Sequence, residues 1–133
     1  MHGEITAKTA ERLRKIVGNE NVLTDPDLLE PYSHDETPGL RAMPQVVARP
    51  RNTREVANIL TLATRERVPV TPRGGGTGLS GGAIPDQGGI VLSLERMNSI
   101  KEIDIDNLMS VVEPGVVTGE LGKRVEREGL FYP

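Results

Sequence analysis

Pro72-Arg-Gly-Gly-Gly-Thr-Gly-Leu-Ser-Gly-Gly-Ala-Ile-Pro85 places six glycines, at positions 74, 75, 76, 78, 81 and 82, within nine residues. A glycine inside a regular element costs about 0.5–1 kcal/mol against alanine, so six together imply a compensating gain. The usual gain is close approach of the backbone to a ligand. Successive unhindered N–H groups then form a concave anion site, and phosphate is the commonest anion held that way.

The flanking segments decide what kind of loop this is. Val46-Val47-Ala48 reads as a short buried strand closed by Pro50. Asn52 and Glu55 form a helix-capping pair, and Val56, Ile59, Leu60 and Ala63 give an amphipathic helix to about Glu66. Val68 to Thr71 is a second strand, which completes a βαβ unit with parallel strands. The loop therefore leaves the carboxyl end of a parallel strand, where ligands bind in open α/β sheets. Beyond Pro85 and a turn at Asp86 to Gly89, Ile90 to Leu94 is a third strand, so the loop joins strand to strand.

That context excludes three motifs the loop imitates. Gly76-x-Gly78-x-x-Gly81 matches the dinucleotide fingerprint, with Glu95 near the place of a ribose-binding acid, but the fingerprint must open a helix. Gly82-Ala83 stands where a P-loop needs Lys-Ser/Thr, which argues against nucleoside triphosphate hydrolysis. Gly78-x-Ser80-x-Gly82 copies a nucleophile elbow, yet no histidine follows His34 to complete a triad. Donors for a phosphate must come from the loop amides, the Thr77 and Ser80 hydroxyls and the Arg73 guanidinium, and a diphosphate is the natural match.

Elsewhere the pattern is plainer. Ile5, Ala10, Leu13, Ile16 and Val17 mark an amphipathic helix stopped by Gly18. Residues 19 to 44 hold several prolines and no sustained period, and read as an irregular connection. Within it, Tyr32-Ser-His-Asp-Glu-Thr37 sets His34 beside two acids, but adjacent side chains diverge, and no metal site is expected. Ile100 to Ile105 and Met109 to Glu113 alternate as a hairpin with one wet face, turning at Asp106-Asn107 and stopped by Pro114-Gly115. Thr118 caps a last helix bearing Leu121 and Val125 and ended by Gly129. The chain then stops on the apolar Leu130-Phe-Tyr-Pro133, which reads as the front part of a longer protein.

Composition narrows the partners. The chain has 133 residues, no cysteine and a net charge of −3, so disulfides, thiolate nucleophiles and cysteine metal sites are excluded. Seven arginines against two glutamates between Arg41 and Arg73 make a locally basic lead into the loop. With only three aromatic residues and an acidic balance overall, an anionic small ligand suits it better than nucleic acid. Neither a signal sequence nor a membrane-spanning run is present. The expectation is a cytoplasmic protein, or one peripheral to the inner membrane face.

The loop, the preceding Val46-x-x-Arg-Pro50 and Thr53-x-Glu55-Val56, and the following Val91-Leu-Ser-Leu94 and Val112-Glu-Pro-Gly-Val116 together resemble the start of a known FAD-binding domain. It is that of the vanillyl-alcohol-oxidase and p-cresol-methylhydroxylase (PCMH) group, and the resemblance is strongest to the FAD subunit of glycolate oxidase and to D-lactate and D-2-hydroxyglutarate dehydrogenases. It implies an α+β fold, with a βαβ first subdomain followed by the start of an antiparallel one. Residues 1–44 would form an N-terminal helix and connection, and residues 45–133 the first part of the FAD-binding domain, the substrate domain being absent. The cofactor contacts implied are Pro72, Arg73, Gly74, Gly75, Gly76, Thr77, Gly78, Leu79, Ser80 and Gly81 around the diphosphate, with Pro114 and Gly115 from the second subdomain. Relatives with covalent flavin carry histidine at the position of Thr77, so FAD here would be noncovalent. The resemblance further implies hydride transfer from a small 2-hydroxy acid to FAD in the full-length protein, with partner subunits if it follows glycolate oxidase. No catalytic residue falls within this chain. Two other readings remain: a non-catalytic diphosphate-binding half-domain, and a flavoprotein like UDP-N-acetylenolpyruvoylglucosamine reductase.

Overall fold

The computed structural model describes residues 1–133. Helix α1 (Ala7–Val17) starts at a capping box in which Thr6 and Thr9 satisfy each other's amides, and ends at Gly18. It buries Leu13 and Val17 against α3 (Thr53–Glu66), which contributes Ile59, Leu62 and Ala63 to the same core. Asn52 caps α3 by accepting the Glu55 amide at 2.9 Å. The Glu55 carboxylate reaches back to the amide and guanidinium of Arg51, one residue earlier than a regular capping box requires.

These helices cover one face of a four-stranded sheet ordered β1-β2-β4-β3. Strands β2 (Val46–Ala48), β3 (Val70–Arg73) and β4 (Ile90–Ser93) are mutually parallel, as a βαβ reading requires, and β4 inserts between the other two. Every residue of β2 and β4 is buried, which explains their unbroken apolar runs. Strand β3 starts two residues later than its sequence suggests and takes in Pro72 and Arg73. It tolerates Pro72 because it is an edge strand. The carbonyls of Pro69 and Arg73 bond β4, so the missing donor of Pro72 faces the open side.

The connection from 19 to 44 contains more order than its composition suggests. Val22–Leu23 forms β1, antiparallel to β2, and Pro26–Leu29 forms a short helix, α2, capped by Asp25. Leu29, with Leu23 and Tyr32 beside it, covers Val47 and Val91 on the second face of the sheet. Two residues of strand and four of helix are too short to leave a periodic signal.

Strands β5 (Ile100–Asp104) and β6 (Met109–Val112) pair as the expected hairpin, with a register shift between Ile100 and Glu102. The expectation of one wet face needs correction: every residue of β6 is exposed, while Ile100, Ile103 and Asp104 of β5 are half-buried, and the hairpin, a two-stranded sheet of its own, adds no residue to the main core. Helix α4 (Thr118–Glu126) also departs by one residue. Val117 is its N-cap, without a side-chain bond, so Thr118 is the first helical residue and caps nothing. No helix is long and apolar enough to cross a membrane.

Between α1 and α3, Thr9 donates to Glu66 Oε2 at 2.6 Å and Arg12 pairs with Glu66 Oε1. The Thr9 hydroxyl first, and then Arg12, hold this carboxyl below its ordinary value of 4.5. A carboxyl depressed in the folded state gives stability that is complete above the unfolded value and lost as pH falls through the folded one. Glu66→Gln should therefore lower the melting temperature at pH 7 and make its decline below pH 4.5 shallower, as followed by circular dichroism.

Candidate cofactor site

The glycine loop must return from the carboxyl end of β3 to the amino end of β4 without a helix. Its second half is anchored by burial of Ile84 and Pro85. It then passes between the starts of β2 and β3, where Gly89 bonds Gln45 and Ile90 bonds the Pro69 carbonyl. Gly89 has φ +70° and a side chain there would collide with the Pro69 carbonyl.

The first half of the loop is different. The amides of Gly74, Gly75, Gly76, Thr77, Gly78, Leu79 and Ser80 donate to no other part of the chain. Peptide donors of a folded protein normally find partners. Seven in succession, around a hollow of about 330 Å³ lined by Asp35, Pro72 and the loop itself, make a concentrated donor surface. Gly75 has no positive φ, and a Cβ there would meet nothing closer than Thr77 Oγ1 at 3.9 Å. The fold therefore does not require glycine at 75, whereas a ligand lying against the backbone does. Gly76 is fixed by the fold, with φ +71° and the Arg73 guanidinium where a side chain would be.

Residues 31–37, which showed no function in the sequence, hold this loop. Arg73 donates to the carbonyls of His34 at 2.7 Å and Pro31 at 3.1 Å, and lies 5.6 Å from the centre of the Tyr32 ring. The guanidinium thus braces the base of the loop. The Glu36 amide donates to the Gly78 carbonyl at 3.1 Å, and Gly81 donates to Thr37 Oγ1 at 2.8 Å. Tyr32 is held in turn by Glu95, whose Oε1 accepts from the Tyr32 hydroxyl at 2.7 Å and from Ser93 at 3.0 Å. Burial first, and then Glu95, push the Tyr32 hydroxyl up to about 12, so it stays a donor. His34 Nδ1 lies 3.2 Å from both Ser33 Oγ and Arg41 Nη2. The usable signal in the sequence was Asp35-x-Thr37, a side-chain turn in which the Thr37 amide bonds Asp35 Oδ1 at 2.8 Å.

Pro114 and Gly115 come to the other side of the loop. A Cβ on Gly74 would lie 3.2 Å from the Pro114 carbonyl, and one on Gly115 would collide with the Leu94 carbonyl. Between them opens a cleft of about 430 Å³ lined by Gly74, Gly75, Glu95, Asn98, Gly115 and Val117. The tertiary structure thus brings together two segments 40 residues apart that the sequence assigned to one site.

The family model for the FAD binding domain matches residues 44–133. The chain belongs to this family. It is 46% identical over 129 residues to the glycolate oxidase subunit GlcD of Bacillus subtilis, covering 97% of this chain and 27% of that protein. With a D-lactate dehydrogenase of Anaerostipes hadrus it shares 34% identity over 133 residues, 99% of this chain and 28% of the relative. Among solved structures, p-cresol methylhydroxylase with substrate bound superposes with a TM-score of 0.83 at 28% identity, over 92% of this chain and 25% of that one. The α+β architecture is thus that of PCMH-type FAD-binding domains. The chain spans about a quarter of the length of the curated relatives it matches.

The residues present fit FAD. An unpaired run of amides matches a diphosphate, and side-chain-free backbone at Gly75 leaves room for it. Thr37→Val should free the Gly81 amide while leaving the sheet intact. In hydrogen exchange followed by NMR, Gly81 would then exchange as fast as Gly74 to Ser80, with protection in β2 and β4 unchanged.

Proposed function

We propose that this chain holds the diphosphate of noncovalently bound FAD, as part of a flavin-dependent oxidoreductase that oxidises a 2-hydroxy acid of the glycolate or D-lactate type. The observation that carries the reading is the run of seven unpartnered amides from Gly74 to Ser80 around one hollow, of which Gly74 and Gly75 also line the cleft shared with Gly115. Gly74 to Ser80 supply the donors, Thr77 and Ser80 add hydroxyls, and Arg73 sets the geometry of the loop base. Thr77, lacking a nucleophilic ring nitrogen, offers no covalent link to the flavin.

The substrate class is supported by the names of the relatives: glycolate oxidase, D-lactate dehydrogenase and, at 36% identity, the D-2-hydroxyglutarate dehydrogenase of Stutzerimonas stutzeri. FAD supplies a hydride acceptor when bound. This chain binds and orients the diphosphate, and the acid-base groups that act on the substrate belong to a part of the enzyme outside it. By the same relationship, companion subunits of a glycolate oxidase type and a place in the cytoplasm or against the inner membrane face are part of the proposal.

Titration of the purified protein with FAD, read by flavin fluorescence anisotropy, should saturate, and no saturable change at millimolar FAD would reject the cofactor role. Gly75→Val should raise the FAD dissociation constant by about 100-fold or more, since the side chain fills the place of the diphosphate. The melting temperature should hardly move, because a Cβ at this position meets no protein atom closer than ordinary contact. Substrate chemistry is tested apart from binding: dye reduction with glycolate or D-lactate is expected from the whole enzyme and not from residues 1–133 alone.

A further inference from the structure

Glu95 follows β4 by two residues, and its carboxylate is held in place rather than loose on the surface. Its Oε1 accepts from the Tyr32 hydroxyl at 2.7 Å and from Ser93 Oγ at 3.0 Å, with Arg49 Nη1 at 3.9 Å. Its Oε2 takes no hydrogen bond from the chain. With 44% of the side chain exposed, a ligand can reach it.

The cleft that Glu95 lines is the one bordered by Gly74, Gly75 and Gly115, and its chemistry differs from that of the hollow inside the loop. No lysine or arginine lines it. Of its two carboxylates, Glu120 is paired with Lys123 at 2.8 Å, which leaves Glu95 facing whatever enters. A second phosphate-binding pocket is excluded there, because an accessible carboxylate repels an anion. Yet Gly74 and Gly75 line both spaces, so a group in the cleft is joined directly to a diphosphate held by the loop. Around the cleft stand the unpartnered amides of these glycines, the Glu95 acceptor and the exposed Asn98 side chain, which can both donate and accept. Hydroxyls, which also do both, match that set. We propose that this cleft is the sugar subsite of the bound dinucleotide, and that Glu95 Oε2 accepts a hydrogen bond from a hydroxyl of the sugar next to the diphosphate. The ribose of the AMP half and the ribityl chain of the FMN half both carry such hydroxyls. Tyr32 and Ser93 are then positioning residues, since their hold on Oε1 fixes the carboxylate at the cleft. The inference deepens the FAD reading above and rests on it.

The test is calorimetric titration of the unsubstituted protein and Glu95→Gln with FAD, ADP and inorganic diphosphate. Glutamine keeps a carbonyl oxygen for Tyr32 and Ser93 and replaces the free acceptor by an amino group. FAD affinity should fall about fivefold or more, as for loss of a hydrogen bond to a charged group, while affinity for inorganic diphosphate, which carries no sugar, holds or rises. A matching fall for ADP assigns the contact to the ribose, and an unchanged ADP affinity assigns it to the ribityl chain. If FAD and inorganic diphosphate weaken together, Glu95 only supports the fold and the inference is overturned; if FAD affinity does not fall, it is overturned as well. Failure of the unsubstituted protein to bind FAD overturns the cofactor reading and the inference with it, whereas FAD binding without a Glu95 effect overturns the inference alone. A second measurement needs no variant: in NMR of the side-chain carboxyl carbons, saturating FAD should shift the Glu95 resonance and inorganic diphosphate should leave it in place. Equal shifts, or no shift with either, would overturn the inference even if Glu95→Gln fails to fold.

Discussion

The site depends on one constraint, that two parallel neighbouring strands, β3 and β4, are joined without a helix. A crossover helix would pair its own peptide groups, whereas this loop leaves seven amides with no intramolecular acceptor. Such a segment keeps a shape only if it is tied from outside. The ties are Arg73 on the carbonyls of Pro31 and His34, the Glu36 amide on Gly78, and Thr37 under Gly81. Because they use only a few of the loop's peptide groups, the remaining donors stay available to a ligand.

The glycines divide by what excludes a side chain. At Gly76, Gly89 and Gly115 the protein itself occupies the place of the Cβ, so these positions serve the fold. At Gly75 only the Thr77 side chain comes within 4 Å, at 3.9 Å, and at Gly78 only Asp35 Oδ2, at 3.6 Å, both ordinary contacts. Those two positions face the hollow and serve what enters it. The same alternation runs through the polar groups. Tyr32, Ser93 and Glu95 satisfy one another beneath the loop, while the amides of Gly74 to Ser80 have no acceptor within the chain.

Legibility followed segment length and the origin of each contact. Helices α1 and α3 and strands β2 and β4 bury regular faces, so period and apolar runs were sufficient to find them. Strand β1 and helix α2 were illegible because two to four residues show no period, and both are fixed by packing against β2 and the second face of the sheet. The insertion of β4 between β2 and β3 is a matter of long-range pairing that no local pattern encodes. The open face of β6 was misread for the same reason, since alternation gives two faces to a strand without saying what covers either.

The sequence by itself determined that a glycine-rich loop would join strand to strand, since prolines and apolar runs on both sides leave no room for a helix. Its family was legible too, because the glycine run and Pro114-Gly115 are local signatures. Only the tertiary structure decided which groups hold the loop. Tyr32, Asp35 and Thr37 lie some 40 residues before the loop residues they touch, and contacts between side chains and distant backbone leave no periodic trace. The same holds for the buried carboxylate of Asp35. Whether a carboxylate is satisfied depends on which donors surround it, and those come together only when the second face of the sheet is covered.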